Sequence, residues 1–268
     1  MDYAQRCARL QQQLRRKKIG ALLVSDPYNR RYLSGYTAPD HGIGESAGFL
    51  FVPARGNPLL LTDFRYQQQA EQETSLPVHR YTKGVVALLS DLLGAAPCPS
   101  LGFESSYTLH ATFVKLEGLC EKHSMALIPC SGLVEKMRVL KSAAEISCIA
   151  ASVQLNEMVF SRIYPQIVPE MREIDLAMLI ESTMRELGSS GPSFNSIVAA
   201  GENGALPHAV PTSAAIGSGR SLTIDMGLVL DGYCSDMTRN FVLGTADKTY
   251  TKIHRIVRHA QLAGMEAV

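Results

Sequence analysis

The chain has 268 residues, of which 46% are hydrophobic and 19% charged, and its formal net charge is +1. A chain of this length and apolar content can bury a full core and is long enough to form two domains. The near-neutral charge lacks the basic footprint of a nucleic-acid-binding protein, disfavours acidic membrane surfaces as partners, and suits neutral or zwitterionic substrates.

The N-terminus lacks the apolar core of a signal peptide, and no apolar run approaches membrane-spanning length. We therefore expect a soluble, cytoplasmic protein. The cysteines are scattered without C-x-x-C pairs, which disfavours a zinc knuckle or a disulfide framework and predicts small buried or half-buried thiols. They are Cys7, Cys98, Cys120, Cys130, Cys148 and Cys234.

The first half of the chain alternates between helical and strand patterns. It begins with a helix over residues 2–18, which has one apolar stripe and a basic end. Asp63 is a candidate N-cap for a later helix. This alternation predicts an α/β layer domain that ends near residue 130. The other predicted elements are strands over 21–25, 49–52, 59–62, 101–103 and 126–128, with 49–52 and 59–62 forming a hairpin, and helices over 85–93 and 111–121.

We place the domain boundary within residues 131–141 and divide the chain into domains 1–131 and 132–268. Ser142 and Glu145 have the spacing of a capping box, so a long helix should follow and end near Tyr164. A second helix is predicted over residues 170–187. The core candidates are Ile146, Ile149, Val153, Met158 and Val159 in the first helix and Ile174, Leu176, Met178, Leu179, Ile180 and Met184 in the second.

A predicted strand over 197–199 and a loop over 201–205 lead to His208, which follows Pro207 in an extended conformation. A lone histidine in such a place is by default a surface loop residue. His254 and His259 belong to a predicted final helix over 247–266. Their spacing of five does not put them on one helix face, so we predict no histidine metal site there.

Two carboxylates lie on the two arms of a predicted hairpin. An apolar strand ends in Asp225, a turn follows at Asp231 and Gly232, and the chain returns through Asp236. If the reversal is centred between residues 230 and 231, Asp225 and Asp236 pair directly on one face of the sheet and require a cation between them. Divalent manganese, magnesium or zinc suits such donors. The spacing alone equally allows ordinary turn and strand-closing aspartates.

The sequence of this hairpin, D-M-G followed by G-Y-C-S-D-M-T-R, resembles the first metal-binding hairpin of the M24 metallopeptidases. The resemblance implies that Asp225 and Asp236 are metal ligands and that one of them bridges two ions. The segment S-F-N-S-I-V-A-A-G-E-N-G-A-L-P-H resembles the stretch that places an active-site histidine, which would be His208, beside the metals. Thr238 is a further candidate, as a residue that orients one of the aspartates.

Two segments of the first half, A-L-L-V-S-D-P-Y-N-R-R-Y-L-S-G-Y and L-L-T-D-F-R-Y-Q-Q-Q-A, resemble the N-terminal domain of creatinase and the Xaa-Pro peptidases. The resemblance implies an α/β N-terminal creatinase-like domain, followed by an α+β partial pita-bread catalytic domain. It also implies two divalent ions, with manganese favoured over cobalt or zinc, a peptide substrate with proline at its second position, and assembly as a dimer or tetramer, with a homodimer as our expectation.

A complete member of this family supplies a histidine and two glutamates from a second αβ half, and the corresponding motifs are not found in this sequence. This leaves two readings, a fragment or splice-shortened form that is inactive alone and a truncated homologue without activity, and we favour the first. The first functional hypothesis is a metal-dependent exopeptidase acting between an N-terminal residue and proline. The alternatives are a non-catalytic module that binds peptides or partner proteins and, less favoured, a metal-free hydrolase of the creatinase type.

Overall fold

The computed structural model describes residues 1–42, 44–96 and 98–268. The chain forms two compact units, Met1–Lys141 and Ser142–Val268. The sequence-based division at residues 131 and 132 lies before this point. The later position follows from packing, because Leu133, Val134 and Met137 contribute to the hydrophobic core of the first unit.

A six-stranded mixed sheet forms the centre of the first unit, with the strand order β4-β3-β2-β1-β5-β6. Strand β1 is antiparallel to β2 and parallel to β5, and β5 is parallel to β6. The elements of the first unit are α1 (Tyr3–Arg16), β1 (Ala21–Val24), α2 (Pro27–Ser34), β2 (Phe49–Pro53), β3 (Leu59–Thr62), α3 (Gln67–Glu73), β4 (Val78–Arg80), α4 (Val85–Ala95), β5 (Ser100–Glu104), α5 (His110–Lys122), β6 (Ala126–Cys130) and α6 (Glu135–Val139).

Both faces of this sheet are covered, which explains why β1 is buried along its whole length. Leu22 belongs to the cluster that includes residues of α1 and α2, whereas its neighbour Leu23 belongs to the cluster that includes residues of α4 and α5. Successive side chains of a strand point to opposite faces, so one short apolar run supplies both layers. The predicted α/β class of this half is confirmed.

Some local predictions for the first unit fail. Asp63 is not an N-cap: its carboxylate accepts hydrogen bonds from Arg65, and α3 begins only after Tyr66, which makes no side-chain capping bond. Helix α2, strand β4 and helix α6 have no counterpart in the sequence-based assignment. All three are short, and β4 has little apolar content of its own, so its place depends on pairing with β3.

The second unit packs helices against two small antiparallel sheets. Strands β12, β9 and β8 form one three-stranded sheet, and β11, β10 and β7 form another. The α+β class predicted for this half is confirmed. Its elements are α7 (Ala143–Ile163), α8 (Glu173–Glu186), β7 (Gly191–Pro192), β8 (Ile197–Ala200), β9 (Ser221–Met226), β10 (Leu228–Leu230), β11 (Tyr233–Cys234), β12 (Met237–Val242) and α9 (Lys248–Glu266), with 3-10 turns at Tyr164–Gln166 and Gly201–Ala205.

Helix α7 begins at the predicted capping box, in which Ser142 and Glu145 bond to each other's backbone amides. The prediction of which α7 residues face the core is largely wrong. Ser152 and Asn156 face the core instead, because they donate hydrogen bonds to the carbonyls of Leu228 and Met226. The predicted core residues that prove to be exposed are Ile146, Val153 and Met158 in α7 and Ile174 and Met178 in α8.

Helix α9 carries the predicted apolar stripe of Ile253, Ile256, Val257 and Leu262, but no residue of the helix is buried, and all four of these are exposed. Asp247 is its N-cap and accepts a hydrogen bond from the amide of Tyr250. None of the described helices combines the length and the apolar character needed to cross a membrane.

Candidate active site

Strand β9 positions Asp225 on the face of its sheet that lies away from the helices. Leu222, Ile224 and Met226 alternate with it and are fully buried in the core formed with α7 and α8, whereas Asp225 is half-buried. This alternation follows directly from the two-residue period of a strand. The sequence S-L-T-I-D-M therefore presents one carboxylate at a partly open surface of a rigid strand.

The register of the hairpin differs from the predicted one. Asp225 lies opposite Thr238, not opposite Asp236. The turn is centred between Asp231 and Gly232, which both have positive φ angles, as a two-residue hairpin turn of type I′ requires. This centre lies one residue later than predicted, so every residue of the returning arm shifts by two positions relative to Asp225. The predicted direct pairing of the two aspartates is wrong.

Asp236 lies just before β12 begins, two residues before Thr238. Continuing the two-residue alternation of the strand back to Asp236 predicts that it shares the face that carries Asp225. We therefore expect Asp236 to be a diagonal neighbour of Asp225, at a typical Cα separation of about 7–8 Å for that relationship. Asp236 is exposed, and neither aspartate forms an ion pair within the described residues.

Thr238 donates a hydrogen bond of 2.7 Å from Oγ1 to Oδ1 of Asp225. The orienting contact suggested by the sequence is thus confirmed for Asp225. A second polar pair continues along the same face, since Asn240 donates to Thr223 at 2.6 Å and accepts from the hydroxyl of Tyr250 at 2.7 Å. The face is lined by hydrogen-bonded polar side chains beside the carboxylate, not by apolar ones.

His208 lies in the segment that connects β8 to β9, and its side chain is exposed. The 3-10 turn that opens this segment lies against the face of the sheet just described, because a Cβ atom placed on Gly204 would be 3.7 Å from Oγ1 of Thr223. Within the described residues, no hydrogen bond or ion pair joins His208 to Asp225 or Asp236. The structure therefore brings the start of this segment to the sheet face that carries Asp225, without a direct contact between His208 and either aspartate.

A buried carboxylate that the sequence reasoning did not single out anchors this segment. Glu173, the first residue of α8, is 1% exposed. It accepts hydrogen bonds from the amide of Ala200, from the side chain of Asn203, and from both the amide and the hydroxyl of Thr212. One carboxylate thus ties down both ends of the segment that carries His208. An acidic residue at the start of a helix was the only local signal for this role.

The charge state of Glu173 fits this role. Burial alone would raise its pKa, but the hydrogen bonds from Thr212, Ala200 and Asn203 outweigh that effect and lower the pKa below its ordinary value. The group is therefore an anion over the physiological range. Its charge also lies at the amino end of α8, where the helix dipole favours a negative group.

The donor set fits a divalent cation, but only in part. Asp225 and Asp236 are hard oxygen donors on the two arms of the hairpin, neither forms an ion pair with a described residue, and Thr238 donates a hydrogen bond to Asp225. Across residues 1–42, 44–96 and 98–268, no group of three or more His, Cys, Asp or Glu side chains is arranged to hold a metal. The two aspartates can thus supply part of a ligand shell.

Comparison with protein families gives two matches that together span almost the whole chain. Residues 147–268 match the metallopeptidase family M24, and residues 6–140 match the creatinase/prolidase N-terminal domain. The second match alone covers half of the chain. The order of the two matched regions is the order of the two structural units.

Individual relatives point the same way. An uncharacterized peptidase of Bacillus subtilis is 30% identical over 92% of this chain and 67% of its own length. The Xaa-Pro dipeptidase of Pyrococcus furiosus is 27% identical over 93% of this chain and 68% of its own length. Among solved structures, an Xaa-Pro dipeptidase from Bacillus anthracis superposes with a TM-score of 0.88 at 29% identity, covering 97% of this chain and 70% of that protein.

Proposed function

The chain belongs to metallopeptidase family M24, and from that premise we propose that it acts in the metal-dependent removal of an N-terminal residue that precedes proline. The observation that carries this proposal is Asp225 on the open face of β9, held by a hydrogen bond from Thr238, with Asp236 two residues before Thr238 on the returning arm. The names of the relatives, an Xaa-Pro dipeptidase among them, support the substrate class.

In this proposal Asp225 and Asp236 hold divalent ions. When bound, such ions lower the pKa of a coordinated water and polarise the substrate carbonyl. Thr238 orients Asp225 by donating to Oδ1, so Oδ2, which accepts no hydrogen bond among the described residues, would be the oxygen available to a cation. His208 contributes an imidazole that can donate or accept a proton beside the scissile amide.

The positioning of His208 is part of the same proposal. Glu173 fixes the two ends of its segment at Ala200 and Thr212, so the imidazole moves within a short, tethered span. Because catalysis depends on precise placement, such a tether matters even though Glu173 itself does not touch the substrate. We assign Glu173 the role of a positioning residue.

Two aspartates supply fewer donors than a dinuclear centre takes. We therefore propose that the 268-residue chain alone binds metal weakly and turns over slowly. Manganese as the metal, a homodimer as the assembly and a cytoplasmic location belong to the same proposal. They rest on the sequence resemblance alone.

A single-turnover assay tests the function. Protein in excess over a short peptide with proline at its second position, with and without Mn²⁺, is followed by mass spectrometry, and the same peptide with alanine at that position is the control. We expect metal-dependent release of the first residue from the proline peptide only, and its loss in Asp225→Asn. Metal-independent peptide binding without cleavage would favour the non-catalytic binding module instead.

A further inference from the structure

A cavity of about 660 Å³ lies at the edge of the first unit where β1 and β3 begin and β2 ends. This volume lies within the range of small-molecule sites, roughly 300–1,000 Å³. Its walls come from the end of α1, from the β2–β3 turn and from the end of α4. The apolar side chains that line it include Ile19, Phe51, Leu59 and Leu92.

All the charged side chains that line the cavity are basic. Arg15, Lys18 and Arg55 line the cavity, and no Asp or Glu among the described residues does. None of these cations forms an ion pair with a described residue. Basic residues at the end of a helix also stabilise its dipole, which accounts for Arg15. It does not account for Arg55, which comes from a turn between strands.

The turn that carries Arg55 is held firmly against α1. Gln11 donates hydrogen bonds from its amide to the carbonyls of Pro53 and Gly56, at 2.8 Å and 2.7 Å. Arg15 donates to the carbonyl of Ala54 at 2.7 Å. The backbone around Arg55 is therefore fixed on both sides, and the cations surround the cavity on a preformed frame.

We propose that this cavity binds a small amphipathic anion, with a carboxylate or phosphate head at Arg15, Lys18 and Arg55 and an apolar body against Leu59 and Leu92. Uncompensated cations around a concave surface concentrate anions there. The apolar floor removes the body of the ligand from water and adds to the affinity of the head. The cavity lies within the first unit, so the proposal is independent of the peptidase function.

Isothermal titration calorimetry of the full chain with matched ligands tests the proposal. Octanoate and monooctyl phosphate carry both head and body, 1-octanol carries only the body, and acetate carries only the head. We expect the two amphipathic anions to bind at least about tenfold more tightly than either partial ligand, since head and body each contribute. The tighter of the two anions identifies the head. Equal binding of octanoate and 1-octanol would overturn the proposal.

Substitutions locate the site. Lys18→Gln combined with Arg55→Gln should weaken octanoate about tenfold or more, since both side chains are exposed and their charge can be removed without changing the core. Arg9→Gln, an exposed cation of α1 outside the cavity, is the matched control and should leave the affinity unchanged. Ala96→Trp should fill the cavity mouth and abolish binding. Unchanged octanoate affinity in both the double variant and Ala96→Trp would show that the cavity is not the site.

Discussion

Glu173 and Thr212 are joined by two hydrogen bonds to one carboxylate oxygen, from the amide at 2.9 Å and from the hydroxyl at 2.6 Å. The two residues are 39 positions apart in the sequence. The same carboxylate reaches Ala200 on the other side of the His208 segment. This arrangement makes the geometry of the candidate site depend on a buried anion in α8.

The first prediction concerns Glu173→Gln. The amide of glutamine presents a donor where Thr212 or Ala200 needs an acceptor, so the free energy of unfolding should fall by roughly 2 kcal/mol or more. Hydrogen exchange at the amides of Ala200 and Thr212 should accelerate together. Asp175→Asn, in the same helical turn but only partly buried and paired only with Arg172, is the matched control and should leave the free energy of unfolding nearly unchanged.

The stability that Glu173 gives to the His208 segment should also depend on pH. The pKa of Glu173 is lowered in the folded protein, so its stabilisation is present above the ordinary value of 4.5 and is lost as the pH falls through the lowered value. Exchange at Thr212, corrected for intrinsic rates, should therefore rise in acid in the wild-type chain. In Glu173→Gln it should be fast throughout. A wild-type segment that stays equally protected in acid would contradict the anchoring role.

The second prediction concerns Glu104, at the end of β5, whose pH dependence has the opposite sign. Burial raises its pKa to about 7, against hydrogen bonds from Asp26, Asn29 and Ser25. The folded protein thus holds this proton more tightly than the unfolded chain. Its contribution, at most about 3 kcal/mol, is complete below pH 4.5 and is lost as the pH rises through about 7.

Chemical denaturation at a series of pH values checks this. The wild-type free energy of unfolding should decline between pH 5 and pH 7.5, and Glu104→Gln should remove most of that slope whatever its own stability. Glu121→Gln, on the exposed surface of α5, is the control and should keep the slope. The same slope in Glu104→Gln as in the wild type would refute the assignment.

The third prediction concerns Thr238. Thr238→Val keeps the shape and the strand propensity of the side chain but removes the hydrogen bond to Oδ1 of Asp225. Loss of such an orienting bond typically weakens metal binding about 10- to 100-fold. Thr223→Val removes the neighbouring bond to Asn240 on the same face and should leave metal affinity nearly unchanged. Equal affinities in both variants would mean that Thr238 does not orient a ligand.

Much of the fold follows from local signals. The capping box of Ser142 and Glu145 involves residues three apart, and the turn at Asp231 and Gly232 is specified by two adjacent residues that tolerate positive φ. The alternation around Asp225 likewise fixes its face from a few neighbours. These features could be predicted because the interacting residues lie within a few positions of each other in the sequence.

Contacts between distant residues could not be predicted in this way. Ser152 and Asn156 are buried because they bond to carbonyls 76 and 70 residues away, and a hydrophobic pattern gives no sign of such partners. Glu173 was missed for the same reason. The pairing of Asp225 depends on the turn centre, and an error of one residue there displaces its partner by two.

The central claim is that Asp225 and Asp236 on one sheet face bind a divalent cation, and calorimetric titration of the full chain with Mn²⁺ tests it most directly. Asp225→Asn and Asp236→Asn are compared with Asp231→Asn, which changes a carboxylate in the turn of the same hairpin. We expect Mn²⁺ binding in the wild type and in Asp231→Asn, and affinity at least about tenfold weaker in the other two variants. Unchanged Mn²⁺ binding after substitution of Asp225 and Asp236 would contradict the account.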